Sequence, residues 1–237
     1  MTPLLAAATL APEVPARALL DGRRALVAVA PHPDDETLGC GALLHEAYMA
    51  GVGTRVMCLT DGSASHRNSE RWPPARIAQV RRAELDAAVA VLAPGTAIEW
   101  LGYADCGLPE GGAEADRCAA RLDAAFPQGA LVVAAWGGDP HVDHRRGAAL
   151  VARAVRDRPD LALLWYPIWG RFVDDGAEVP PMRRLAAGAA ALAAKSRALA
   201  CHATQMTRLI DDDPGGFVMD AADQAHFLDH AEIFLAP

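Results

Sequence analysis

Short, wholly apolar runs alternate along this chain with longer stretches whose apolar residues recur at helical spacing. Residues 25–30 (Ala-Leu-Val-Ala-Val-Ala) predict a strand buried on both faces. Residues 37–50, rich in Ala and Leu, predict a helix that stops at Gly51. A second strand at 54–60 runs into the Asp61-Gly62-Ser63 turn, and residues 63–74 read as a polar loop over whatever site lies there. Ile77, Val80, Leu85 and Val89 mark an amphipathic helix over 75–92, stopped by Pro94-Gly95. Residues 97–103 predict a third strand, 104–112 a loop and 113–126 a helix. The most apolar strand spans 130–136; a helix follows from about 142 to 156, then a strand at 161–165.

Such alternation is the pattern of βαβ units on a parallel sheet, and right-handed crossovers put every strand-to-helix loop on one edge. Beyond Tyr166 the alternation stops. Residues 169–181 read as a loop, 185–202 as an Ala-rich helix, and 211–216 as a turn whose Asp211, Asp212 and Asp213 are expected in solvent. Residues 221–234 predict a last helix, or a helix with a short strand. Ahead of the first strand, residues 1–22 are apolar but broken by Pro3, Pro12 and Pro15 and lack a basic n-region, so they suit neither a signal peptide nor a membrane span. They are expected to form a loosely ordered arm.

Two loops on the common edge carry chemistry. His32, Asp34, Asp35 and Glu36 follow the first strand, where α/β sheets bind ligands. Acidic residues are also ordinary at a helix start, so this cluster alone leaves a capped helix and a metal site both open. His141-Val142-Asp143-His144 then follows the strand at 130–136. Two histidines matched with a His/Asp cluster on the same edge favour a metal. A His/His/carboxylate set with an open position describes a catalytic centre, and the absence of Cys from both motifs argues against iron–sulfur and structural zinc. The unused Asp34 can take a proton from a water that the cation has acidified. The other histidine can act as acid or oxyanion partner, and Asp143 can hold a ring nitrogen. Such a set suits hydrolysis of an amide or ester.

The 237 residues, 52% of them hydrophobic, are enough for one large core, and a single domain over 1–237 is expected. The net charge of -8 without a basic block argues against nucleic acid as partner. Five cysteines with no Cys-x-x-Cys suit a reducing, cytoplasmic setting, with Cys106 in a loop the one candidate for reactivity.

These motifs resemble the PIG-L/LmbE-like family of zinc-dependent de-N-acetylases. Its first motif, [AP]-His-Pro-Asp-Asp-Glu, stands complete as Pro31 to Glu36. Its His-Pro-Asp-His stands as His141-Val142-Asp143-His144, with Val for Pro. Arg81-x-x-Glu84 and Lys195…His202-Ala-Thr204-Gln205 resemble two weaker motifs, so the likeness runs from Ala25 to Gln205. The resemblance implies an α/β, Rossmann-like, mostly parallel sheet flanked by helices, with the site at the carboxyl ends of the strands. Residues 166–237 would form a variable part closing the substrate side. It implies one Zn2+, or another divalent ion such as Fe2+, on His32, Asp35 and His144. Asp34 would be the general base, His141 the acid and oxyanion partner, and Asp143 the carboxylate orienting His141. Arg81 is offered as a substrate contact, against the ordinary fate of a helix arginine that pairs with a neighbour such as Glu84. The implied substrate is a small N-acylated amino sugar or glycoconjugate, and a homo-oligomer is compatible with it.

Three rivals remain. A mononuclear non-haem iron enzyme uses the same two-His-one-carboxylate set. An amidase acting on a non-sugar amide needs the same machinery. A nucleotide binder is suggested by Gly39-Cys40-Gly41 after a strand, but the third glycine is missing and two acids precede it. Trp165, Tyr166, Trp169 and Arg171, at the end of the fifth strand, are candidates for the substrate mouth.

Overall fold

The computed structural model of the protein describes residues 1–237. Its strands are β1 (Glu13–Pro15), β2 (Ala25–Ala30), β3 (Gly53–Thr60), β4 (Ala97–Tyr103), β5 (Leu131–Ala135), β6 (Ala162–Tyr166), β7 (Met182–Ala186) and β8 (Ile233–Leu235). Its helices are α1 (Pro3–Leu10), α2 (Ala16–Leu19), α3 (Asp35–Met49), α4 (Pro74–Leu92), α5 (Gly112–Ala125), α6 (Val142–Val155), α7 (Ala189–Leu199), α8 (Ala203–Met206) and α9 (Ala221–Asp229). The strands form one sheet in the order β1-β7-β8-β6-β5-β2-β3-β4, parallel except where β8 pairs with β6 and β7.

Side chains of β2 alternate between two cores. Leu26 and Ala28 join Leu38, Leu85 and Ala194 on the face of α3, α4 and α7. Val27 and Val29 join Leu122, Leu150 and Val151 on the face of α5 and α6. Every residue of β2 and β5 is buried, which is why both read as unbroken apolar runs. From β2 the chain winds outward through β3 to β4, then returns to place β5 on the other side of β2. The order therefore reverses between β2 and β5, and a crevice opens outside their carboxyl ends. Leu26 pairs with Leu131 and Val29 with Ala134, so the two strands end side by side.

Two expectations change. Residues 1–22 are not a loose arm. Thr2 caps α1 through its side chain, Leu4 and Ala8 are buried, and β1 pairs in parallel with β7. The prolines that rule out a long helix sit at α1's first turn and at the sheet edge, where no ladder donor is needed. The helix expected from 185 begins only at Ala189, because Met182–Ala186 pairs with β1 and β8 as a strand. Sheet pairing there overrides a local Ala-rich preference. Residues 221–234 are a helix followed by a strand. No helix is long and apolar enough to cross a membrane.

α3 breaks at Cys40 (φ -146°, ψ 21°). The amides of Ala42 and Leu43, freed by the break, donate to the buried Glu232 carboxylate at 2.7 and 3.0 Å. Lys195 Nζ bonds Glu232 Oε1 and the Leu38 carbonyl, each at 2.8 Å, which joins α7, α3 and the segment before β8. Burial lowers the Lys195 pKa, and Glu232 opposes that shift. Gly39 lies against the Tyr166 ring; a Cβ there would stand 2.1 Å from Tyr166 Cδ2. Gly39 is thus required by packing against Tyr166.

Lys195→Met strands the buried Glu232 charge and should lower stability by about 3–5 kcal/mol in urea unfolding. The double variant Lys195→Met/Glu232→Gln should recover part of that loss.

Candidate metal centre

β2 delivers Pro31 to the crevice, and the chain turns so that His32 and Asp35 face each other. Asp35 Oδ2 accepts the His32 backbone N–H at 2.9 Å and lies 3.2 Å from His32 Nδ1. From the neighbouring motif, His144 Nε2 reaches within 3.3 Å of the same oxygen. That nitrogen is buried and makes no hydrogen bond. A tetrahedral ion with ligands at about 2.0–2.1 Å has its ligand atoms about 3.3 Å apart. The two imidazole nitrogens thus each stand from Asp35 Oδ2 at the spacing that shared ligation of one cation imposes, and ligand atoms of His32, His141 and His144 lie within 4.8 Å of one another.

The far nitrogen of each of these imidazoles meets a carboxylate. His144 Nδ1 pairs with Asp139 Oδ2 at 2.8 Å. Asp139 is fully buried and also accepts the backbone N–H groups of Ile168, Trp169 and Gly170. His32 Nε2 stands 3.2 Å from Asp143 Oδ2 and 3.4 Å from Asp105 Oδ1. Such outer carboxylates set the tautomer and raise the basicity of a ligating histidine. They also favour positive charge in the site. Burial alone would lower the His144 pKa, but Asp35 and Asp139 carry it up to about 9. Burial opposes His32 in the same way, yet Asp105, Asp143 and Asp35 hold it well above the usual imidazole value. Asp35 is held well below the carboxylate range, His144 and His32 outweighing its burial.

The Asp34 carboxylate bonds none of these groups and is held by Arg81 instead. Burial raises its pKa to about 6, against the pull of Arg81, whose Nη2 bonds Asp34 Oδ2 at 3.1 Å. Arg81 is itself buried and also donates to the Gly62 and Pro33 carbonyls. Gly62 sits at φ 62°, and a Cβ there would lie 2.4 Å from Arg81 Nη1, so the turn after β3 has to be glycine. Arg81 does not pair with Glu84, which instead binds the backbone and hydroxyl of Thr204.

His141 caps α6, its Nδ1 accepting the Asp143 backbone N–H at 3.2 Å. Its ring meets His32 edge-on at 4.5 Å. Burial, then His32 and His144, push its pKa down to about 4. The family resemblance assigns the Asp143 carboxylate to orienting His141. It is committed instead to His32 Nε2 and to the amides of Cys106 and Leu108, because α6 starts with its first acidic side chain turned back under the loop after β4.

Six of these groups, His32, Asp34, Asp35, Arg81, Asp105 and His141, line one cavity of about 590 Å³, while His144, Asp139 and Asp143 lie fully buried behind it. Ser65, Arg67 and Asn68 from the loop after β3, and Gly215 to Met219 from the C-terminal part, form its other walls. Of the four residues expected at the mouth, only Trp169 lines it. Trp165 is buried in the core, Tyr166 donates to the Val29 carbonyl, and Arg171 is buried with its guanidinium over Phe227. Of the acidic run, Asp211 is exposed as expected, but the other two are not free in solvent. Asp212 accepts from Ser69 and the Arg71 amide, and the buried Asp213 accepts from the Asn68 amide, which pins the loop over the cavity. Cys106 lies at the cavity wall in a left-handed conformation (φ 64°), and all five cysteines are free. Asp139 and Asp105 were not singled out from sequence; their one signal is a carboxylate just past the carboxyl end of a strand.

The family model described as PIG-L: GlcNAc-PI de-N-acetylase matches residues 27–155. A mycothiol S-conjugate amidase from Streptomyces coelicolor is 31% identical over 140 residues, 50% of this chain and 47% of that protein. The aligned stretch thus spans about half of that curated relative. Among solved structures, the conserved protein TT1542 from Thermus thermophilus has a TM-score of 0.62 at 25% identity, over 90% of this chain and 94% of that one. The N,N'-diacetylchitobiose deacetylase from Pyrococcus horikoshii has a TM-score of 0.61 at 21% identity, over 77% and 71%.

Asp139→Asn keeps the shape but weakens the carboxylate behind His144. Competition with a chromophoric chelator should show cation affinity down about 10–100-fold, with the far-UV spectrum unchanged.

Proposed function

The chain belongs to the PIG-L family, and on that footing we propose that it is a zinc-dependent hydrolase that removes an N-acetyl or similar N-acyl group from an amino sugar or glycoconjugate. The observation that carries this reading is the position of Asp35 Oδ2 between His32 Nδ1 and His144 Nε2, with the Asp34 carboxylate beside it on the cavity side. We assign His32, Asp35 and His144 as the metal ligands. A zinc ion held there would polarise the amide carbonyl and lower the pKa of a water to near neutrality.

The chain's own residues divide the remaining work. Asp34, ionised at neutral pH, takes the proton of the attacking water. Its raised pKa lets it hold that proton and give it to the departing nitrogen as the C–N bond breaks, leaving a free carboxylate and an amine. His141 Nδ1 is occupied by a backbone N–H, so the ring proton sits on Nε2. With its pKa down at about 4 the ring is neutral, and we assign it the oxyanion, as an N–H donor, with the amine's proton coming from Asp34. Asp143 acts on His32, fixing the ligand's orientation. Arg81 lines the cavity beside Asp34 and is retained as a substrate contact.

Similarity to an amidase favours a second reading, in which the scissile amide is not on a sugar. Fe2+ in place of Zn2+ would leave the residue roles unchanged, and metal analysis decides between them. Free cysteines throughout fit a reducing compartment, and we place the protein in the cytoplasm.

Release of acetate across a panel of N-acetylated amino sugars, with and without chelator, tests the function. Chelation should abolish turnover and leave the far-UV spectrum unchanged, because the cores on both sheet faces contain no ligand. Unfolding on metal removal would make the site structural instead.

Asp34→Asn should keep its metal and lose about a hundred- to ten-thousandfold in rate. Asp35→Asn should lose the metal. Full metal in Asp35→Asn with none in Asp34→Asn would reverse the two assignments.

A further inference from the structure

Glu36 and His202 are fully buried, and neither lines the cavity. His202 Nε2 stands 3.3 Å from Glu36 Oε1 and 3.2 Å from the Thr37 hydroxyl, which itself donates to Glu36 Oε1. The other oxygen, Glu36 Oε2, accepts the backbone N–H of Asp34 at 3.1 Å. Asp34 adopts φ 150° and ψ -27°, a conformation that L residues rarely take. Backbone of this kind persists only where its surroundings over-determine it. Here Glu36 holds the amide, Arg81 holds the carboxylate, and the amides of Thr37 and Leu38 bond the Asp34 carbonyl at 3.0 and 2.9 Å.

His202 comes from the turn between α7 and α8, far along the chain from Glu36. Its Nδ1 is buried without a hydrogen-bond partner. A side chain selected for packing alone would carry no such orphan, since an apolar ring fills the same space without the desolvation cost. Its Nε2 hydrogen-bonds the Thr37 hydroxyl and stands within ion-pair reach of the one carboxylate that holds the Asp34 amide.

We propose that His202 is a positioning residue for Asp34. Through Glu36 it holds the strained Asp34 backbone, and with it the carboxylate, at the angle that proton transfer requires. This rests on the reading of Asp34 as the base. The C-terminal segment is thereby tied to the chemistry without touching substrate.

The test compares kcat, KM, bound zinc and thermal midpoint for His202→Phe, His202→Gln, Glu36→Gln and Thr204→Val, with His202→Phe also made in the Asp34→Asn background. His202→Phe should lower kcat about 10–100-fold with KM and zinc content unchanged. His202→Gln, whose amide can still donate toward Glu36, should keep most of the rate. Every partner of the Glu36 carboxylate is a donor, so Glu36→Gln meets one of them donor to donor and should show the same kcat loss, which covers failure of the Phe variant to fold. Thr204→Val breaks the bond from α8 to Glu84 without reaching Glu36, and should lower the midpoint while sparing kcat. In Asp34→Asn, His202→Phe should add no further loss.

Full kcat in both His202→Phe and Glu36→Gln overturns the proposal. So does a Thr204→Val loss equal to that of His202→Phe, or an undiminished His202→Phe effect in Asp34→Asn. Full activity in the single Asp34→Asn variant would instead remove the base assignment, a result read without any His202 variant.

Discussion

Burial of carboxylates and imidazoles together at the ends of β2 and β5 is the constraint on which the structure around the site depends. An unpaired charge so placed would cost several kcal/mol. Three of the buried carboxylates are therefore each met by several donors. Asp139 takes three backbone amides and His144; Asp143 takes two amides and His32; Glu36 takes the Asp34 amide, Thr37 and His202. The loops supplying these amides follow β2, β4 and β6, and the parallel order of the strands brings them to one edge. The sheet thus supplies the donors as well as the place.

Asp34 and Asp35 are adjacent, chemically identical and oppositely tuned. Asp35 faces two imidazoles and is held ionised, whereas Asp34 is buried against a single arginine and rises to about 6. Neighbouring carboxylates separated in this way can take different jobs, one as a permanent anion and one as a group that gains and loses a proton. The unusual backbone of Asp34 turns its carboxylate toward Arg81 while Asp35 turns toward the histidines.

The C-terminal part has a share in this. Lys195 and Glu232 secure the break in α3, Thr204 secures Glu84 on α4, and Asp212 and Asp213 secure the loop over the cavity. Phe217 packs edge-on against Trp169 at 5.4 Å, joining that part to the segment after β6. These contacts all bear on elements that border the cavity or pack against its walls.

The sequence by itself determined the βαβ core and the family. Unbroken apolar runs at β2 and β5 mark strands buried on both faces, and two local motifs after them place His32, Asp35 and His144 on one edge. Those features are local in the chain, so periodicity and spacing reveal them. The tertiary structure alone decided which partner each polar side chain takes. Asp143 serves His32 and not His141, Arg81 serves Asp34 and not Glu84, Asp105 enters the site from a loop that carries no motif, and Asp139 enters it from just ahead of His141. It also decided that residues 1–22 and 182–186 join the sheet. A short strand gains its stability from the neighbour it pairs with, and a buried carboxylate its role from the donors that reach it; both come from parts of the chain far away in sequence.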